Sequence, residues 1–144
     1  MLFHYVLIAI VNDISDADKS LLQEFKNDYT VILEYCIRTD FTSELVDINL
    51  NDKIYYLCIE KWSKKKYVFQ NTNLEELKNE ILESLDELRE YVSTEFLRLH
   101  EPSGKLIFRN GSLDEGCNLR DVFRPNSLRI REELAKLLNR LYSF

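Results

Sequence analysis

Glycine, proline, histidine and cysteine are all scarce in this 144-residue chain, which has three, two, two and three of them respectively. Few glycines and prolines exclude collagen-like and linker-rich architectures. The three glycines form none of the glycine-rich motifs that cradle phosphate groups. The cysteines, Cys36, Cys58 and Cys117, are odd in number and widely spaced, which argues against a disulfide framework and a zinc site. We therefore expect reduced thiols, a cytoplasmic location, no cofactor and no metal.

Apolar residues, by contrast, are plentiful: 45% of the chain is hydrophobic and 12% is aromatic. This content suffices for a packed core, and the length fits a single domain over residues 1–144. The apolar run Leu2–Val11 is shorter than the roughly 20 residues that cross a bilayer, and it lacks the positive start of a signal peptide. We expect it to form a buried strand, and we expect no membrane association.

The pattern of apolar residues predicts an α+β fold, in which a long helix and two shorter helices pack on a mostly antiparallel sheet. The first helix is predicted over residues 16–29, with Ser15 as its N-cap. The last helix is predicted to start at Asn126 or Ser127, after a long loop over residues 112–125. The predicted strands cover residues 2–11, 30–38, 46–50, 54–62, 67–70 and 105–109.

The long helix is predicted from residue 74 to residue 99, with Asn73 as its cap. Its apolar residues step by three or four throughout, which gives one unbroken stripe. Pro102 and Gly104 are expected to stop it. The stripe consists of Leu74, Leu77, Ile81, Leu85, Leu88, Val92, Phe96 and Leu99.

Negative charge is concentrated on this long helix. Residues 74–101 carry nine acidic and three basic side chains, so their net charge equals the −6 of the whole chain. At about 100° per residue, five of these acids fall on one line opposite the apolar stripe. Like charges three or four residues apart destabilise a helix, so this line does not help the helix to fold. We call it the acidic ridge: Glu76, Glu80, Glu83, Glu87 and Glu90.

The last helix has the opposite charge on its polar face, which carries Arg129, Lys136 and Arg140. If both helices lie on one sheet, both charged faces point outward and cannot neutralise each other within one chain. The acidic ridge then has two interpretations, an ordinary solvated face or a docking surface for a basic partner. The second interpretation requires that the carboxylates of the ridge form no ion pairs with basic side chains of the same chain.

Sequence motifs for catalysis are absent. The chain has no G-x-S-x-G, the motif that carries a nucleophilic serine. No Glu-x-Lys, which a metal-dependent nuclease would need on a strand, lies on a predicted strand. His100 and Cys117 are the two residues around which a site assembled by the fold could form. The run Trp62–Phe69 interleaves aromatic residues with three lysines, a pattern that can stack on single-stranded nucleic acid. The same pattern suits a solubilised turn over a core, and the negative net charge argues against a nucleic-acid partner.

These observations predict a small, acidic, non-catalytic binding protein. The class that fits best is an inhibitor of immunity or antitoxin type, which neutralises a basic, nuclease-like toxin or a defence enzyme. The acidic ridge would dock on the partner's basic cleft, and Tyr91 would anchor the contact. One alternative is a self-assembling structural or adaptor protein, such as a homodimer, that pairs the ridge with the basic last helix. The second alternative is a small enzyme with a site around His100 or Cys117.

Overall fold

Helices dominate the computed structural model of this chain, which describes residues 14–109 and 119–144. Within these ranges a π-helical stretch (Tyr56–Lys61) extends the second α-helix, and a short 3₁₀ helix (Lys65–Tyr67) precedes the third. None of the helices described combines the length and the apolar content that crossing a bilayer requires. The elements are α1 (Asp16–Arg38), α2 (Leu50–Tyr55), α3 (Thr72–Tyr91), β1 (Leu97–His100), β2 (Lys105–Phe108) and α4 (Leu119–Tyr142).

The fold class is mixed α+β, as the sequence predicts, but the expected mostly antiparallel sheet is wrong. The described residues contain one small sheet, in which β1 and β2 pair antiparallel with Leu97 opposite Phe108. Of the strands predicted in these residues, only 105–109 is confirmed, as β2. The predicted strand at 46–50 is reduced to a single bridge between Val46 and Leu106. The predicted strand at 2–11 lies outside the described residues.

Helix α1 begins where the sequence predicts and continues well beyond. The Oγ of Ser15 accepts a hydrogen bond from the N–H of Asp18, which confirms Ser15 as the N-cap. The helix replaces the predicted strand over 30–38, because its apolar face continues in steps of three and four and outweighs the β-branched residues there. Its buried apolar residues are Leu22, Phe25, Tyr29, Ile32, Leu33 and Cys36.

Helix α2 and its π-helical extension replace the predicted strand over residues 54–62. The buried residues Leu50, Ile54, Cys58 and Trp62 recur at every fourth position. Tyr55, Tyr56 and Ile59 lie between them but are exposed. The prediction was wrong because these exposed apolar residues made the segment look apolar on two faces, and short apolar runs do not distinguish a strand from a helix.

Helix α3 (Thr72–Tyr91) starts slightly earlier than the predicted residue 74 and ends well before the predicted residue 99. Asn71, not Asn73, caps its start, by accepting a hydrogen bond from the N–H of Leu74. The helix ends at Tyr91, and the predicted final turns instead form the chain that leads into β1. Asn51 stabilises this end, because its Nδ2 donates to the carbonyl oxygens of Arg89 and Val92 at 3.2 and 2.6 Å. The helical spacing of the apolar residues continues beyond Tyr91, but the chain there leaves the helix and pairs as β1 with β2.

Helix α4 begins at Leu119, not at Asn126 or Ser127. The prediction of a loop is therefore wrong for residues 119–125. Pro125 lies inside the helix, where its missing N–H frees the carbonyl of Asp121. Both residues are exposed, and the buried side chains of Leu119 and Phe123 hold these first turns against the core. The rest of that loop and Cys117 lie outside the described residues.

The buried side chains of all four helices form one connected hydrophobic cluster. Helix α4 packs against both α1 and α3, and α2 with its extension packs against α3. Tyr29 of α1 meets Cys58 of the extension, with its hydroxyl 3.7 Å from the sulfur. Two surfaces follow from this arrangement: the seam between α3 and α4, and the groove between α1 and α2.

Candidate functional site

The acidic ridge lies on the outer face of α3, as the sequence predicts. Four of its five glutamates are exposed, and the fifth, Glu87, is half-buried. The opposite face of α3 is buried along its length, from Leu74 to Leu88. The apolar stripe therefore predicts correctly which way this helix faces.

The ridge is nevertheless not free of its own chain. Arg140 of α4 forms an ion pair with Glu80, and Arg129 forms one with Glu87. The expectation that the two charged helix faces cannot neutralise each other within one chain is therefore wrong. Its premise was a sheet beneath both helices. Instead, α4 packs directly against α3, so that the flanks of the two faces meet across the seam.

Three glutamates remain open, namely Glu76, Glu83 and Glu90. Among the described residues, their carboxylates have no ion pair and no hydrogen-bond donor. They follow each other at intervals of seven residues, and at 1.5 Å per residue they span about 21 Å. Glu80 and Glu87 lie on the side of this line that faces α4. We call Glu76, Glu83 and Glu90 the open row.

The predicted anchor Tyr91 is half-buried next to the ridge. Its ring lies 5.4 Å from that of Phe96 and 6.3 Å from that of Phe123, measured between centroids. Part of the Tyr91 ring is thus already engaged within the chain.

His100 and the lysine-rich run over residues 62–69, which the sequence also singles out, belong to other elements than α3. His100 closes the turn between β1 and β2, where its Nδ1 is 2.8 Å from the Oγ of Ser103. In the lysine-rich run, Trp62 and Phe69 are buried and only Tyr67 is partly exposed among the aromatic residues. This burial leaves no aromatic row on which successive bases could stack.

A groove between α1 and α2 has a volume of about 540 Å³. Its apolar lining includes two strongly exposed residues, Val31 at 75% and Tyr56 at 52%. Sequence reasoning missed this groove. The available signal was that Val31 and Tyr56 are apolar at positions that helical spacing places away from the core. The remaining apolar lining residues are Ile32, Tyr35, Leu50 and Leu57.

One end of the groove is built around Asp28. Its Oδ2 accepts hydrogen bonds from the Nζ of Lys61 at 2.6 Å and from the indole N–H of Trp62 at 2.8 Å. Lys61 also pairs with Glu24 at 3.0 Å. The hydrogen bond to Asp28 is the main cause that raises the pKa of Lys61 above its usual range. At this end two carboxylates therefore share one lysine.

The other end of the groove is electrically balanced. Lys53 pairs with Asp47 at 2.8 Å, and the hydroxyl of Tyr35 accepts a hydrogen bond from the N–H of Asp47 at 2.8 Å. The hydrogen bond from Lys53, followed by one from the N–H of Asn49, lowers the pKa of Asp47. The positive charge of Lys105 also lowers the pKa of Asp47, so this end has no excess of negative charge.

The polar groups near the groove floor are poorly suited to nucleophilic catalysis. Burial raises the pKa of the thiols of Cys36 and Cys58 to about 12, so neither is a thiolate near neutral pH. Burial also raises the pKa of Tyr29. Among the described residues, no three His, Cys, Asp or Glu side chains are arranged to hold a metal ion.

Comparisons with known proteins add no relative: no family model, no curated protein and no solved structure matches this chain.

Proposed function

We propose that this protein is a small, acidic, non-catalytic binding protein that occupies a basic surface of a partner protein. The observation that carries the proposal is the open row, three exposed glutamates on one line of α3 that form no ion pair with the described residues. Three like charges on one exposed line of a helix form a negative surface, which attracts a positively charged partner.

An inhibitor of immunity or antitoxin type is the class that this charge distribution favours. Enzymes that hold nucleic acid have basic clefts, and a rigid line of carboxylates is attracted to such a cleft over a long range. Complementary charge of this kind increases the association rate and selects partners more than it adds affinity. The two ion pairs within the chain limit the docking surface to the open row and leave Glu80 and Glu87 outside it.

The same ion pairs weaken the self-assembly alternative. That alternative needs the acidic ridge of one copy to meet Arg129, Lys136 and Arg140 of another. Arg129 and Arg140 are already bound to α3 of their own chain, which leaves Lys136. A foreign basic partner therefore has more support than a second copy.

The test reverses the charge of the open row, with Glu76→Lys, Glu83→Lys and Glu90→Lys in one variant. The matched control makes the same change of net charge at three exposed glutamates outside the row, with Glu60→Lys, Glu101→Lys and Glu132→Lys. The wild-type protein captures its partner from a lysate of the source organism at low salt, and the purified pair is then measured by surface plasmon resonance.

We expect the captured partner to be basic and the row variant to associate about tenfold more slowly, with a weaker dependence on salt. The control should retain most of the wild-type rate. Circular dichroism verifies that both variants fold. Unchanged association of the row variant, or a captured partner without a basic surface, contradicts the proposal.

A further inference from the structure

We propose that the groove between α1 and α2 binds an amphipathic helical segment of a partner protein, which places a lysine or arginine at the Asp28 end. This inference concerns a different surface from the open row and does not depend on the function proposed for that row. It rests on three observations: the exposed apolar lining, the unequal charge of the two ends, and the π-helical wall.

The exposure of the lining favours a chain segment over a small molecule. Pockets for small ligands enclose most of the ligand surface. Here Val31 and Tyr56 remain 75% and 52% exposed, so the groove is too open to enclose a small molecule. The distance along α1 from Asp28 to Tyr35 is about 10 Å, which matches two turns of a helix. A groove between two helices is a common seat for the apolar face of a third.

The charges at the two ends give the segment a direction. At one end Glu24 and Asp28 share Lys61, which leaves one negative charge in excess. Both hydrogen bonds to Asp28 are accepted by its Oδ2, so its Oδ1 is available to a further donor. At the other end, Lys53 and Asp47 balance each other. A basic residue therefore fits at the Asp28 end, and a neutral residue fits at the other.

The third observation is the π-helical stretch itself, which forms part of one wall. The N–H of Trp62 donates to the carbonyl of Leu57 at 3.0 Å, five residues earlier. This spacing adds a residue to the turn and lets Trp62 reach Asp28 while Tyr56 and Leu57 line the groove. Such insertions are uncommon and occur frequently at functional sites.

The experiment selects binders without knowledge of the natural partner. A phage-displayed library of random peptides, about 15 residues long to allow four helical turns, is selected on the full-length protein. Enriched peptides are synthesised, and their affinity is measured by fluorescence anisotropy for the wild type and three variants. Val31→Glu blocks the groove, Glu24→Gln removes the excess charge, and Val122→Glu is the matched control on α4. Val31 and Val122 are both exposed, so neither substitution disturbs the core.

We expect enriched peptides to share apolar residues at helical spacing and a lysine or arginine at one end. Val31→Glu should weaken binding at least about tenfold, and Val122→Glu should not. Glu24→Gln should weaken binding about two- to fivefold, as for a partly exposed charge pair. No enrichment, enriched peptides with acidic ends, or binding that Val31→Glu leaves unchanged would each refute the proposal.

A second copy of the chain is the competing occupant. Analytical ultracentrifugation of the wild type and Val31→Glu separates the two cases. If the wild type is an oligomer that Val31→Glu dissociates, the groove is occupied by the protein itself and the proposal is wrong. An oligomeric state that is the same for both proteins, together with the peptide specificity above, supports the proposal.

Discussion

The seam between α3 and α4 and the groove between α1 and α2 are both formed by neighbouring helices, yet one is closed and the other is open. At the seam, two long helices pack together, and arginines of α4 reach glutamates of α3 along its margin. At the groove, a long helix lies beside a short one, contacts are made at the floor and at the two ends, and apolar residues remain exposed between them. Both places have ion pairs between the two helical segments, so the difference lies in length. Two long helices cover each other, whereas the short α2 leaves apolar side chains of α1 exposed.

Truncation of core and groove residues should show the largest difference. Leu134→Ala on α4 removes a fully buried side chain and should lower the free energy of unfolding by about 2–5 kcal/mol. Val31→Ala should change it by a few tenths at most, because Val31 is mostly in water already and alanine favours the helix. Urea denaturation measures both. A comparable loss for Val31→Ala would mean that the groove is covered in solution.

Loss of the Asp28 carboxylate should have an intermediate effect. Asp28→Ala leaves the indole N–H of buried Trp62 without its acceptor, which should cost about 1–3 kcal/mol. The matched control Glu24→Ala removes only a half-exposed partner of Lys61 and should cost less than about 1 kcal/mol. Urea denaturation at one pH compares the two variants. Equal losses would show that Asp28 does not support the groove wall through Trp62.

The smallest effect should be that of the Glu80–Arg140 ion pair at the margin of the seam. A double-mutant cycle with Glu80→Gln and Arg140→Gln should give a coupling energy below about 1 kcal/mol, because both side chains are about half exposed. The coupling should decrease further in high salt. Thermal unfolding of the four proteins at two salt concentrations provides the values. A coupling above about 2 kcal/mol, insensitive to salt, would mean that charge pairing drives the closure of the seam.

Several elements could be predicted from local pattern because local interactions decide them. The cap at Ser15 and the apolar stripe of α3 depend on residues three or four positions apart. The same signal was present in α1 up to Cys36 and in the four-residue steps from Leu50 to Trp62. The prediction of strands gave more weight to the β-branched and aromatic residues of these segments, which strands also favour, whereas in the structure the helical spacing prevails.

Other features could not be predicted because they depend on distant partners. The end of α3 depends on Asn51, some forty residues earlier in the chain, and on the pairing of β1 with β2. The ion pair between Glu80 and Arg140 joins residues sixty positions apart. No spacing within α3 shows which of its glutamates will meet an arginine.

By itself, the sequence determined that α3 turns its leucines inward and its five glutamates outward, since the 3.6-residue period of a helix fixes that separation. Only the tertiary structure decided that two of those glutamates are neutralised and three are open, because this depends on where α4 lies. The groove was likewise decided by where α2 and its extension lie beside α1, since exposure of an apolar residue is a property of its neighbours in space.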